Sequence, residues 1–134
     1  MIPLRDSIPS RTFPGINYIL IALNAMVFFY QLSLHSAGLM EPFIFEHAVI
    51  PKLLSSDLHT HWPSLITSQF LHGGFAHVLG NMVFLYIFGD NIEDTFGRFK
   101  YIVFYILSGI VASLSHFLLN IGSVIPAVGA SGAI

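Results

Sequence analysis

The sequence predicts an all-α membrane protein, a polytopic helical bundle of about three full transmembrane helices plus the start of a fourth. Three observations carry that prediction. Hydrophobic residues make up 54% of the 134-residue chain and charged residues only 9%, against roughly 25% charged in an ordinary soluble protein. The few charges cluster, so long stretches carry none. The charge-free stretches are also long enough to span a bilayer. So little charge cannot cover a water-facing surface of this size, and lipid is the solvent that the composition fits. A net charge of −2 argues against nucleic acid as a partner. Cysteine is absent, which excludes disulfides and leaves the redox compartment unreadable.

The elements follow in order. Residues 1–15 read as a polar tail with Arg5, Asp6 and Arg11, and residues 16–134 as the transmembrane domain. Ile16 to Leu34 carries no charge; at 1.5 Å per residue that gives roughly 28 Å, enough to cross the hydrocarbon core. The run exceeds a signal-peptide core of about 7–15 residues and reads as a retained first helix. Within it Asn17, Asn24 and Gln31 fall seven apart and share one face, the mark of an interhelical packing stripe. Residues 35–63 mix charges with aromatic residues, Trp62 among them, as expected of a connection lying at the membrane interface. A second apolar stretch begins near Leu65. Gly73 and Gly74 should break it, so that the spanning helix runs from Phe75 to about Asp94. The third span runs from about Phe99 to Leu119, with Ser108, Gly109, Ala112 and Ser113 as a small-residue face for close packing. A linker with Gly122 and Pro126 follows, and Ile134 leaves room for only the beginning of a fourth helix. Alternating sides put Arg5, Arg11, Arg98 and Lys100 together against Lys52 alone. That asymmetry predicts a cytoplasmic N-terminus and an outward-facing first loop and 120–127 linker.

His77 and Asn81 lie four apart, on one helical face and about 6 Å apart along the axis. Span order brings Ser131 to a similar depth below the same membrane face. Polar groups inside a membrane are expensive and mark functional sites by default, although the pair could equally serve as interhelical glue. Gly129, Ala130 and Gly132 surround Ser131 with small residues. Such a turn lets backbone approach closely and can present N–H groups to an oxyanion, but it also suits helix packing. His59 with His61, and His72 with His77, miss the His-Glu-x-x-His spacing of a zinc site. No metal is expected.

Taken together, these segments resemble the rhomboid family of intramembrane serine proteases. The resemblance covers Trp62 to Ile134: Thr67-Ser68-Gln69-Phe70-Leu71-His72, then His77-x-x-x-Asn81-Met82, Phe88-Gly89, Glu93 and Gly97, then Pro126-Ala127-Val128-Gly129-Ala130-Ser131-Gly132. Each piece is weak alone, and the ordered set is specific. It implies Ser131 as nucleophile and His77 and Asn81, with backbone N–H groups, as oxyanion stabilisers. Gly129, Gly132 and His72 are expected around the bound substrate, His72 more structural than chemical, and Glu93 as a hydrogen-bonding anchor. One departure is Pro63, where many bacterial members carry arginine after the tryptophan. The larger one concerns the base. A serine needs one, the family supplies it as a histidine on the sixth helix, and no histidine follows Ser131. The chain as given is therefore expected to be an inactive fragment of a rhomboid-type endopeptidase. The complete protein would cleave transmembrane substrates with no cofactor, from a site open to the extracytoplasmic side. Two other functions are open: a non-catalytic rhomboid-like protein that binds membrane clients, and a small transporter or channel subunit.

Overall fold

The computed structural model describes residues 11–134. The expected tail falls largely outside the described residues, and Arg5 with it. Among those described the chain is helix and loop, with one isolated antiparallel bridge between Val49 and Ala127.

Helix α1 spans Gly15–Ser36 and matches the charge-free run. No side chain of its own caps its start. The cap comes from a distant residue: Glu93 accepts hydrogen bonds from Ile16 N at 3.1 Å and Asn17 N at 2.8 Å. A carboxylate there pairs two otherwise orphaned N–H groups and meets the positive end of the helix dipole. Burial along α1 falls on Asn17, Leu20, Asn24, Phe28 and Gln31, the face that the seven-residue spacing predicts. The opposite face leaves Ile19, Met26 and Phe29 exposed, which suits lipid and not water.

The interfacial connection folds into short helices: α2 (Met40–His47), α3 (Pro51–Ser56), α4 (Leu58–His61) and α5 (Ser64–Thr67), then a 3₁₀ turn over Ser68–Phe70. Helix α6 spans Phe75–Phe96 after the Gly73-Gly74 break. It bends by 76° from the Leu58–Phe70 segment. Helix α7 spans Arg98–Leu119. Gly97, at φ 78, turns the chain between α6 and α7 in one residue, a left-handed conformation that only glycine adopts at little cost.

Two described helices, α1 and α7, are long and apolar enough to cross a membrane, and the count rises to three if the bent pair is one span. His77, Asn81, Asp90 and Asn91 make α6 less apolar than α1 and α7. The expected start of a fourth helix appears as a single 3₁₀ turn, Ala130–Gly132. That turn belongs to the core, because Ala130 and Ala133 pack with Leu20, Leu85, Tyr101 and Tyr105.

A ladder of buried hydrogen bonds ties the helices together. Asn17 Nδ2 donates to Leu85 O at 2.8 Å and its Oδ1 accepts from the Tyr101 hydroxyl at 2.9 Å. Asn24 Nδ2 reaches Leu20 O at 2.8 Å and the Tyr105 oxygen at 3.3 Å. Gln31 clasps the backbone of His72, donating to its carbonyl at 3.1 Å and accepting from its N–H at 2.9 Å. The small residues on α7 pack against loop segments. Gly109 leaves room for the Gln69 side chain and Ala112 lies against Gly132.

Candidate active site

The break before α6 starts that helix close beneath the Ala130–Gly132 turn. His77 and Asn81, one turn apart on α6, therefore face the residues just before Ser131. The contact is made at Gly129. A Cβ built there would lie 2.5 Å from His77 Cε1, 2.6 Å from His77 Nε2 and 3.7 Å from Asn81 Nδ2. Gly129 also sits at φ 124, backbone that residues with a side chain rarely adopt. Its N–H donates to Ser68 O at 2.9 Å, which pins the turn to the end of the bent segment. Further back, Val49 and Ala127 exchange backbone hydrogen bonds at 3.2 and 2.8 Å, and Lys52 N donates to Ser123 O at 2.9 Å. The linker before Ser131 is thus fastened to the first loop at two points.

Ala130 is fully buried, whereas Ser131 and Gly132 are exposed. Anchoring the residues on either side of the serine leaves its hydroxyl free at the surface of a cleft. That cleft has a volume of about 350 Å³, and its lining includes Ser68, Ser113, His116, Gly129, Ser131 and Gly132. His77 and Asn81 sit beyond Gly129 and do not line it.

His72 is 1% exposed, so it reaches the site through Asn81 and not through open space. Its Nε2 lies 3.0 Å from Asn81 Nδ2, and its ring meets that of His77 edge-on at 5.2 Å. With the Asn81 amide donating, Nε2 is the acceptor and the ring proton sits on Nδ1. Glu93 lies at the far end of α6 in its capping role, 3.8 Å from Arg98 Nε. Among the described residues no group of three or more histidine or acidic side chains is placed to hold a metal.

Sequence reasoning missed His116, Ser68 and the clasp from Gln31. His116 had a legible signal: with Gly109, Ala112 and Ser113 it completes an i, i+3, i+4, i+7 face on α7. Ser68 contributes through its carbonyl, which leaves no trace in the sequence.

The Rhomboid domain family matches residues 59–134. YdcA of Bacillus subtilis (strain 168) is 27% identical over 124 residues, which cover 92% of this chain and 59% of YdcA. The rhomboid protease GluP of the same organism is 30% identical over 121 residues, 90% of this chain and 23% of GluP. Rhomboid-like protein 11, chloroplastic, of Arabidopsis thaliana is 36% identical over 73 residues, 54% of this chain and 26% of that protein. The chain thus spans between 23% and 59% of the length of these relatives. No solved structure matches it.

Proposed function

The chain belongs to the rhomboid family, and from that premise we propose that it carries the nucleophile and oxyanion-binding half of a serine endopeptidase that cuts transmembrane proteins. In this reading Ser131 Oγ attacks the carbonyl carbon of the scissile peptide bond while its proton passes to a general base. The carbonyl π pair moves onto oxygen, and His77, Asn81 and backbone N–H groups of the Ala130–Gly132 turn receive the resulting oxyanion. Collapse of the tetrahedral intermediate expels the amine, which takes the proton back. Water then hydrolyses the acyl ester and restores Ser131. Each oxyanion donor supplies about 10²–10³ in rate, so the donors cannot replace a base. The resemblance assigns that base to a histidine on a later helix, and the reading requires one beyond Ile134. An inward N-terminus and an outward-opening cleft complete the proposal.

The observation that carries this reading is the contact at Gly129, where the Ser131 turn packs against His77 and Asn81 with no space for a methyl group. The test is covalent labelling of the full-length protein with a fluorophosphonate in detergent micelles. Labelling should occur at Ser131 and vanish in Ser131→Ala. A folded wild-type protein that neither labels nor shortens a co-expressed transmembrane substrate would favour the client-binding function, with the client recovered at unchanged length.

A further inference from the structure

The bend before α6 is held from α1. His72 lies between the 3₁₀ turn that ends at Phe70 and α6, which starts at Phe75, so no helix pairs its backbone. Gln31 of α1 does so instead: its Nε2 donates to His72 O at 3.1 Å and its Oε1 accepts from His72 N at 2.9 Å. Both residues are 1% exposed, and backbone groups at membrane depth need such partners. Phe28, three residues earlier on the same face of α1, meets the His72 ring edge-on at 6.4 Å. Gly73 and Gly74 separate His72 from α6, and two glycines leave that link free to take many conformations. The α6 backbone therefore does not by itself set where the His72 ring sits against Asn81; α1 does. That placement matters because Asn81 Nδ2 lies 3.0 Å from His72 Nε2. A side-chain amide carries two N–H bonds. With one of them held by His72 Nε2, turning the amide over would set its oxygen against another acceptor, so the second N–H stays available to an oxyanion.

We infer that Gln31 is a positioning residue of the peptidase: it holds His72, and His72 holds the Asn81 amide in the orientation that receives the oxyanion. The inference rests on the reading of Asn81 as an oxyanion donor. It extends the machinery to α1, outside the 59–134 segment that matches the family. Gln31→Met keeps the length and flexibility of the side chain and removes both bonds to His72. The freed His72 then shifts against Asn81, and the amide loses its fixed orientation. A displacement of about 1 Å at a reacting group costs up to about 100-fold. Gln31 acts at one remove, and the Phe28 and His77 rings still flank His72. A loss of about tenfold in kcat is therefore expected, with KM unchanged.

Two measurements on the full-length protein in micelles test it. In the first, kcat per folded molecule is measured for cleavage of a transmembrane substrate in a double-mutant cycle. Gln31→Met should lower kcat about tenfold in the wild type and less than about twofold in Asn81→Leu, where no amide remains to be positioned. An equal loss in both backgrounds, or a rise in KM with kcat unchanged, overturns the assignment. In the second, Ser131→Ala protein with ¹⁵N-labelled histidine is observed by NMR, the His72 signal being identified by its absence in His72→Gln. Gln31→Met should move the His72 Nε2 resonance towards its position in Asn81→Leu, where it accepts no bond from the amide. A resonance that stays in place overturns the assignment whatever the kinetics. If Gln31→Met fails to fold, Gln31→Asn serves in both measurements, since its amide is one methylene too short to reach both His72 groups. Because Ser131→Ala cannot cleave, the NMR result is independent of turnover. A wild type that neither takes up the fluorophosphonate nor cleaves would instead overturn the peptidase reading.

Discussion

A methyl group at residue 129 would lie 2.5 Å from His77 Cε1, so Gly129→Ala must push the Ser131 turn and the imidazole apart. The backbone at φ 124 adds strain of about 1–3 kcal/mol. A displacement of about 1 Å at a reacting group can cost about 100-fold, so cleavage by the full-length protein should fall by about that factor in Gly129→Ala. Asn81 tests a different contribution. Asn81→Leu removes the proposed oxyanion donor and the partner of His72 Nε2 together, and kcat should fall by about 10²–10³ with little change in KM. His72→Leu should lower kcat less, because it only frees the Asn81 amide to rotate, and His72→Gln should recover part of the loss. Equal losses in His72→Leu and His72→Gln would mean that His72 matters only for packing. Counting helices predicts a common depth for Ser131, His77 and Asn81, and the structure brings the Gly129 backbone just before Ser131 against His77 and Asn81. The rotation of each helix does not follow from counting. That is why spacing alone could not show that His72 is buried against Asn81 or that His116 faces the cleft beside Ser131.

Among the elements, the start of α1 is held by side chains of α6 and α7. Helix α1 lacks its own cap, and Glu93 supplies one from α6. Glu93→Leu leaves the part-buried Ile16 N and the buried Asn17 N unpaired, while Asn17→Leu removes one bond to Leu85 O and one from Tyr101. Asn24 contributes least: it bonds to Leu20 O of its own helix and distantly to Tyr105, and its Oδ1 has no partner. Interhelical hydrogen bonds in membranes average about 0.6 kcal/mol each and reach about 1.7. The predicted order of destabilisation is Glu93→Leu, then Asn17→Leu, then Asn24→Leu, the first about 2 kcal/mol or more and the last under about 1. Reversible unfolding in mixed micelles measures it, and an Asn24 variant as damaging as the Glu93 variant contradicts the ladder. The seven-residue spacing of Asn17, Asn24 and Gln31 revealed the stripe. It could not reveal the partners, because three of them are the backbone carbonyls of Leu85, Leu20 and His72 and another is a glutamate 76 residues from Asn17.

For the whole molecule, sidedness is fixed by the fold up to one choice. The 120–129 linker is bonded to the first loop through Val49 with Ala127 and Lys52 with Ser123, so both must lie on the same face of the membrane. The α6–α7 turn at Gly97 lies at the other end of both helices. The basic residues Arg11, Arg98 and Lys100 gather at that second end while Lys52 is alone at the first, an asymmetry that favours the Gly97 end in the cytoplasm. Residues 1–134 carry no cysteine, so a thiol introduced among them is the single one in this segment. In intact cells a membrane-impermeant maleimide should label His59→Cys and Ile121→Cys, and should label Thr95→Cys only after permeabilisation. All three positions are solvent- or lipid-exposed. Reversed labelling of the whole set would turn the Ser131 cleft to the cytoplasm and confine substrates to those with a cytoplasmic cleavage site. Labelling that separates residues 59 and 121 would contradict the loop-to-linker bonds themselves, and with them the placement of Ser131 beside His77 and Asn81.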